Sequence, residues 1–364
     1  MNVCIIGDGL TSLSLAQNLV NKKISVHIYY KKKINHSSLK RTLGISKDNF
    51  EFFKKEIMDI QKNFWEIKRI EVYSEKLKKD KILNFEKDKS SLFFMLNNDE
   101  LHKALSNKLS KSNFFKKKMI KNDNFYQKLL EEKKYNLIIN CDSKNPIIKK
   151  YFSKTINKAY NNFAYTTSLE HEALENNTAV QIFTKYGPIA YLPLSKTKTS
   201  VVYSLDFNKE KFSETKIINL IKKYNFKYLI KKIDKLSKFE LKSLNLRNYY
   251  HNNILAFGDC LHKIHPLAGQ GFNMTIRDIK IISNIIQNRI DLGIQLDSTI
   301  LEEFEKKTKH INFIFSSAID SIFEFFNFDK KVKNKNLNKI LKLFGKSKIL
   351  NSMFIKYADR GLNI

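Results

Sequence analysis

An α/β fold with a Rossmann-like parallel sheet is predicted from two glycine-rich loops, each lying between an apolar strand and a helix. The first loop, 7–12, follows the uncharged run 3–6, and the second, 258–271, follows the apolar run 253–257. Such uninterrupted runs are typical of buried parallel strands. Half of the chain's ten glycines lie in these loops. Glycine is retained where a backbone bends sharply or approaches a ligand closely, so both loops are predicted to contact one ligand.

The first loop has the order of a dinucleotide-binding unit: strand, Gly-rich turn, helix, strand. Gly7 and Gly9 allow a tight turn, apolar residues then recur at helical spacing, and a second strand covers 24–30. The N–H groups and positive end of such a helix favour a pyrophosphate. Two departures stand out, since Ser12 replaces the third glycine and Tyr30 stands where an acid is expected. The alternative is a strand–turn–helix unit without a ligand.

The second loop carries Gly258 and Asp259 at the end of its strand, where α/β sheets bind ligands. A helix is predicted to start near Phe272. A metal site made by Asp259, His262 and His265 is the rival interpretation. It is disfavoured because no second ligand cluster accompanies these residues, and no metal is predicted.

The segment 265–273, with Gly258 and Asp259 before it, resembles the flavin motif of the FAD-dependent aromatic hydroxylases of the para-hydroxybenzoate hydroxylase fold. Within that group it is most similar to the ubiquinone-biosynthesis hydroxylases, as is the segment 187–194. The resemblance implies a Rossmann-like FAD-binding domain interleaved with a sheet-rich substrate domain and followed by a helical C-terminal region. The implied boundaries are 1–65, 95–150 and 250–290 for the FAD-binding domain, 66–94 and 151–249 for the substrate domain, and 291–364 for the helical region.

The resemblance also implies the cofactor-binding residues. Asp259 is expected to bond the ribityl chain of FAD, Arg41 to contact FAD, and 269–273 to lie along the flavin ring. A third motif carries Asp142, but Ser143 stands where the family has glycine. No catalytic acid or base is predicted. The full predicted set is Gly7, Gly9, Leu10, Thr11, Ser12, Tyr30, Arg41, Asp142, Asp259, Pro266, Gly269, Gln270, Gly271, Phe272 and Asn273.

The activity implied is that of an FAD- and NAD(P)H-dependent monooxygenase. Its expected substrates are O₂ and an aromatic, prenylated phenol of ubiquinone biosynthesis, hydroxylated through a flavin hydroperoxide. Two alternatives stay open. One is a flavin-dependent hydroxylase or reductase of another lipid-like substrate, and the other is a catalytically reduced scaffold of a quinone-biosynthesis complex.

The formal net charge of +30 raises nucleic acid and anionic membrane as partners. Nucleic acid is disfavoured because only six of the basic residues are arginine, the residue preferred for bidentate base contacts. An anionic membrane surface and other quinone-biosynthesis proteins stay as candidate partners. No signal peptide or transmembrane helix is expected, and the three cysteines fall in or beside predicted buried strands. The expected location is therefore cytoplasmic. Peripheral binding to the inner face of the membrane stays open as an alternative.

Overall fold

The computed structural model describes residues 1–31, 42–60, 64–75, 81–86, 91–206, 212–264 and 270–331. Its helices are α1 (Leu10–Asn21), α2 (Lys47–Phe52), α3 (Asn98–Leu109), α4 (Asn124–Glu131), α5 (Pro146–Tyr151), α6 (Glu214–Tyr224), α7 (Gln270–Asp291) and α8 (Thr299–Lys331). Its strands are β1 (Asn2–Ile6), β2 (Ser25–Tyr30), β3 (Thr42–Ser46), β4 (Phe64–Ile67), β5 (Arg69–Ser74), β6 (Lys81–Glu86), β7 (Phe93–Asn97), β8 (Phe115–Met119), β9 (Leu137–Asn140), β10 (Thr155–His171), β11 (Thr178–Thr184), β12 (Gly187–Pro193), β13 (Lys198–Asp206), β14 (Ile230–Ile233), β15 (Ser237–Leu246), β16 (Tyr250–His251), β17 (Ile254–Ala256) and β18 (His262–Lys263).

The first sheet has the strand order β16-β17-β9-β1-β2-β8, and all its pairs except β16–β17 are parallel. Its central strands β1 and β9 are buried on both faces, as their uninterrupted apolar sequences predict. The carboxyl ends of β1, β9 and β17 therefore meet at one edge, where the predicted loops begin. The α/β fold class with a Rossmann-like sheet is confirmed.

The second sheet is mainly antiparallel and follows the order β18-β15-β10-β13-β12-β11-β5-β6, with β14 added beside β10. One face packs against α6 through alternate residues of the strands, such as Ile189, Tyr191, Val201 and Tyr203. Because strand side chains alternate between faces, the intervening residues point to the opposite side. Gly187 opens β12 with a φ of +147°, and a β-carbon there would lie 1.8 Å from the carbonyl oxygen of Ser204.

A third sheet has three strands and lies beside the main core. In it, β7 lies between β3 and β4 and pairs antiparallel with both. Phe94 of β7 stacks on Phe50 of α2 at 3.9 Å, and both rings are buried. This aromatic contact belongs to the same hydrophobic core as β1 and α1. The division into domains predicted from the sequence stays a prediction.

Two long helices end the described chain. α7 packs its apolar face into the main core through residues such as Ile276, Ile279 and Ile282, all fully buried. α8 packs against α7 and buries Phe315, while Phe313 and Ile314 are nearly half exposed. Among the described helices, none is long and apolar enough to cross a membrane.

Candidate functional site

The first glycine loop leaves open space at the N-terminus of α1. Gly7 has a φ of +106° and donates its N–H to Tyr29 O at 2.8 Å, which turns the chain sharply after β1. Gly9 is the N-cap, and no side chain caps the helix. A β-carbon on Gly9 would meet no other described group within 4 Å. Uncapped N–H groups beside an open space are the arrangement that can hold an anion at a helix N-terminus.

The second glycine loop rests directly on the first. Gly258 has a φ of +64°, and a β-carbon there would lie 2.6 Å from Thr11 Cγ2. This approach requires glycine for both conformational and steric reasons. Asp259 follows with an exposed side chain and makes no hydrogen bond or ion pair to another described residue. Its carboxylate is therefore free to accept hydrogen bonds from a ligand in the crevice between the loops.

The third loop, after β9, lies at the same edge but is held by its own hydrogen bonds. Asp142 Oδ1 accepts the N–H of Lys144 at 3.0 Å, and Asn145 Nδ2 donates to Asp142 O at 2.8 Å. The Asp142 side chain thus closes an Asx turn. Burial raises the pKa of the neighbouring Cys141 thiol to about 12, and the charges of Asp259 and Asp142 contribute in the same direction.

Helix α7 brings Gly271 and Asn273 to the same region in two different roles. A β-carbon on Gly271 would meet no other described group within 4 Å. Asn273 is fully buried, donating to Gly44 O at 2.8 Å and accepting the N–H of Ser46 at 2.9 Å. Its side chain therefore ties α7 to β3, so a ligand contact by Asn273 falls to its backbone.

A buried polar network fixes the second loop to both long helices. His262 Nε2 lies 2.5 Å from Asp278 Oδ2, and both side chains are almost completely buried. Asn312 of α8 donates to the other carboxylate oxygen at 3.1 Å. Burial raises the pKa of the nearby Tyr249 phenol, with the Asp278 charge adding to the effect. His262 thus has the structural role that is usual for a satisfied buried histidine, and no group of described residues forms a metal site.

Two positively charged residues on elements that border the site were not predicted from the sequence. Arg277 of α7 has one guanidinium nitrogen buried without a described partner, and its charge stacks over Phe315 at 4.3 Å. Burial lowers its pKa to about 10. Lys117 of β8 lies 3.4 Å from Asp8 Oδ2 and 4.5 Å from the centre of the Tyr30 ring. The sequence signals that could have identified them are weak. Arg277 is one of only six arginines and follows the glycine motif, and Lys117 is the middle one of three consecutive lysines.

The opposite face of the second sheet carries a row of small and polar side chains. The strand register places Val72 beside Gln181, Gln181 beside Ala190, and Ala190 beside Val202. Gln181, Ala190 and Val202 are only partly buried. Ile319 of α8 packs on this face and also on the cluster beside α7. α8 therefore connects the sheet face to the helix that starts at the crevice.

Comparison with known proteins shows similarity to FAD-binding monooxygenases. The sequence matches the family described as "FAD binding domain" over residues 162–290. It is similar to the mitochondrial ubiquinone biosynthesis monooxygenase COQ6 of Dictyostelium discoideum, with 27% identity over 52% of this chain and 49% of that protein. The corresponding Xenopus tropicalis protein is 26% identical over 52% and 50%. The resemblance predicted from the sequence is confirmed. The chain spans about half the length of the curated relatives it matches.

Solved structures share the fold over the whole chain. p-Nitrophenol 4-monooxygenase PnpA from Pseudomonas putida aligns with a TM-score of 0.75 and 13% identity, covering 100% of this chain and 98% of the other. HpxO from Klebsiella pneumoniae, complexed with FAD and uric acid, aligns with a TM-score of 0.73 and 11% identity, covering 100% and 97%.

The structure brings together most of the predicted FAD-contacting positions that it describes. Residues of the first loop, Asp142 and Asp259 lie at the carboxyl edge of the first sheet, and α7 begins at Gln270, two residues before the predicted start. Phe272 is partly buried against the main core. Arg41, Pro266 and Gly269 lie outside the described residues, as does the side chain of Gln270.

Proposed function

We propose that this chain is an FAD-dependent monooxygenase that hydroxylates the aromatic ring of a prenylated phenol in ubiquinone biosynthesis. The observation that carries the proposal is the crevice at the edge of the first sheet. Gly9 and Gly271 face open space there, although Gly258 packs tightly on Thr11. The contact with Thr11 requires glycine at position 258 and holds the two loops together. Gly9 and Gly271 have no close neighbours and border the crevice. The names of the similar proteins support a flavin monooxygenase of the quinone pathway.

The residues of the crevice fit the pyrophosphate, the ribityl chain and the flavin ring of FAD. The N-terminus of α1 would hold the pyrophosphate through the backbone from Gly9 to Ser12. Asp259, exposed and unpartnered within the described chain, would accept a hydrogen bond from a ribityl hydroxyl. The N-terminus of α7 would stabilise negative charge on the flavin ring. The bound flavin would supply O₂ activation, with NAD(P)H as the proposed reductant.

The second sheet offers a floor for the aromatic substrate. The partly exposed row of Gln181, Ala190 and Val202 combines small side chains, which leave room for a ring, with one amide that can orient a ring hydroxyl. The apolar cluster of Val72, Ile82 and Phe183 lies beside it. Such a surface suits a phenol with a hydrocarbon tail, and its apolar members exclude water from the reacting ring.

Reconstitution with FAD tests the proposal. Wild-type protein is expected to be yellow, to bind one FAD, and to consume NAD(P)H in the presence of a prenylated phenol. Gly9→Val is the matched negative control, since its side chain enters the open space beside α1. A colourless protein that cannot be loaded with FAD would contradict the proposal. Turnover only with an unrelated lipid-like substrate would redirect the proposal to that substrate.

A catalytically reduced scaffold of a quinone-biosynthesis complex is the second candidate. Two observations favour it: Tyr30 stands in place of the expected acid, and Asp142 is engaged in its own turn. The reconstitution experiment also separates the two candidates, because a scaffold need not bind FAD or consume NAD(P)H.

A further inference from the structure

The adenosine end of the crevice lacks the acid that normally binds a ribose hydroxyl in this fold. Tyr30 occupies the end of β2, and a lysine from the next strand covers it. Parallel pairing sets Ile28 beside Lys117 and Tyr30 beside Met119. The Lys117 side chain therefore rises from the edge strand on the face that carries Ile28 and Tyr30. Its ammonium lies 4.5 Å from the centre of the Tyr30 ring.

Lys117 is also tied to the first glycine loop. Its Nζ lies 3.4 Å from Asp8 Oδ2, and the side chains of Lys117 and Asp8 are 28% and 23% exposed. His102 Nε2 lies 2.8 Å from the carbonyl oxygen of the same Asp8, which fixes the loop to α3. Lys117 is thus held between the pyrophosphate loop and the end of β2, with part of its surface open to a ligand.

The neighbouring lysines point the other way. Lys116 and Lys118 lie on the face of β8 that neighbours His27 and Tyr29, and their charges contribute to the lowered pKa of His27, after the larger effect of burial. Side chains alternate along a strand, so Lys117 alone of these three lies on the crevice face. Another nearby lysine, Lys31, is paired with Asp123. The position of Lys117 is therefore specific and not a property of the general positive charge.

From this geometry we infer that Lys117 is a nucleotide-binding residue that replaces the missing acid at the adenosine ribose. Ribose hydroxyls both donate and accept hydrogen bonds, so an ammonium can donate where a carboxylate would accept. Asp8 keeps the ammonium in place, and the Tyr30 ring supports it by a cation–π contact. The expected ligand is an adenosine diphosphate group, either free or as part of FAD. Only the assignment of this group to FAD rests on the proposed function.

The test compares Lys117→Met with Lys118→Met, which removes the same charge from the opposite face of the same strand. Lys117→Met is expected to weaken FAD binding at least about tenfold, the loss typical of a charge-assisted hydrogen bond. Lys118→Met is expected to bind FAD as the wild type does. FMN, which has no adenosine, should bind equally to all three proteins. Equal FAD affinity of the two variants would overturn the inference.

A double-mutant cycle with Asp8→Asn separates direct contact from charge compensation. If Lys117 contacts the ribose, Lys117→Met stays defective in the Asp8→Asn background. If it only neutralises Asp8 near the pyrophosphate, Asp8→Asn restores FAD binding and the inference is wrong. Should Lys117→Met fold poorly by thermal melting, Lys117→Arg decides instead: retained FAD binding supports a donor at this position, and lost binding overturns it.

ADP titration by calorimetry keeps the inference separate from the proposed function. If wild-type protein binds no FAD, the proposed function fails. ADP binding that is weakened by Lys117→Met and unchanged by Lys118→Met would still support the nucleotide contact. ADP affinity that is the same in both variants, or absent from the wild type, would overturn it.

Discussion

Gly258 and Thr11 bring the two glycine loops into direct contact, since a β-carbon on Gly258 would lie 2.6 Å from Thr11 Cγ2. Gly258 also has a φ of +64°, which L-residues with side chains rarely adopt. The loops are therefore fixed relative to each other without any ligand. This contact joins the N-terminal turn of α1 to the loop that follows β17.

Replacing Gly258 by alanine is expected to destabilise the fold. The left-handed conformation costs about 1–2 kcal/mol for alanine, and overpacking against Thr11 costs about 1–3 kcal/mol more. Urea unfolding measures the change. Thr11→Ser removes the methyl group in closest contact, so the double variant should recover about 1 kcal/mol. Strictly additive effects of the two substitutions would contradict the contact.

Replacing Gly9 by valine should separate ligand binding from folding. Its φ of −73° suits any residue, and a β-carbon meets no other described group within 4 Å. We expect the free energy of unfolding to fall by less than about 1 kcal/mol, while FAD binding is lost because the side chain blocks the N–H groups of α1. Stoichiometric FAD in the purified variant would show that this loop does not hold the pyrophosphate.

Asp259→Ala should weaken FAD binding without affecting stability. The side chain is exposed and has no hydrogen bond within the described chain, so its loss costs the fold little. Its hydrogen bond to a ribityl hydroxyl should contribute about 1.5–3 kcal/mol, or at least tenfold in the dissociation constant. Flavin-fluorescence titration measures this, and an unchanged constant would remove Asp259 from the site.

Asp278→Ala is the matched contrast, because this carboxylate is buried against His262 and Asn312. Removing it leaves buried donors without an acceptor, which typically costs about 1–3 kcal/mol for each group. We expect a clear drop in melting temperature, in contrast to Asp259→Ala. Equal melting temperatures for the two variants would mean that the network does not fasten the second loop to α7.

Tyr30→Glu restores the acid expected at the end of β2. A carboxylate beside Lys117 would be neutralised and could still accept a hydrogen bond from the ribose, so FAD should bind tighter by about 1 kcal/mol. Titration of both apo-proteins with FAD decides. Tighter binding by the wild type would instead support a role for the aromatic ring of Tyr30, packed on the adenine or beneath Lys117.

The sequence predicted those parts of the structure that local patterns determine. The strand–turn–helix unit of β1 and α1 follows from an apolar run, two glycines and helical periodicity within a single short segment. The position of the site at the carboxyl edge of the first sheet was also predictable, because the carboxyl ends of parallel strands meet at one edge. Asp259 and Gly9 could therefore be placed near each other before any coordinates were known.

The remaining features depend on contacts between distant segments. β7 joins β3 and β4 through antiparallel pairing that no local pattern specifies. Lys117 reaches Tyr30 only because β8 pairs with β2 in one register. The Asn273 side chain, predicted to contact the flavin, bonds to β3 and to Asn49 of α2, contacts that no local pattern specifies. In each case the position of the side chain depends on which strand or backbone group its own element pairs with. The type of the residue alone does not determine this pairing.

The most direct test of the central claim follows the oxygen atom. FAD-loaded wild-type protein is given NAD(P)H, a prenylated phenol and isotopically labelled O₂, and the product is analysed by mass spectrometry. The proposed monooxygenase predicts a hydroxylated ring that carries one labelled oxygen atom, formed by the wild type and not by Gly9→Val. Unchanged phenol, or a hydroxyl group without the label, would contradict the account.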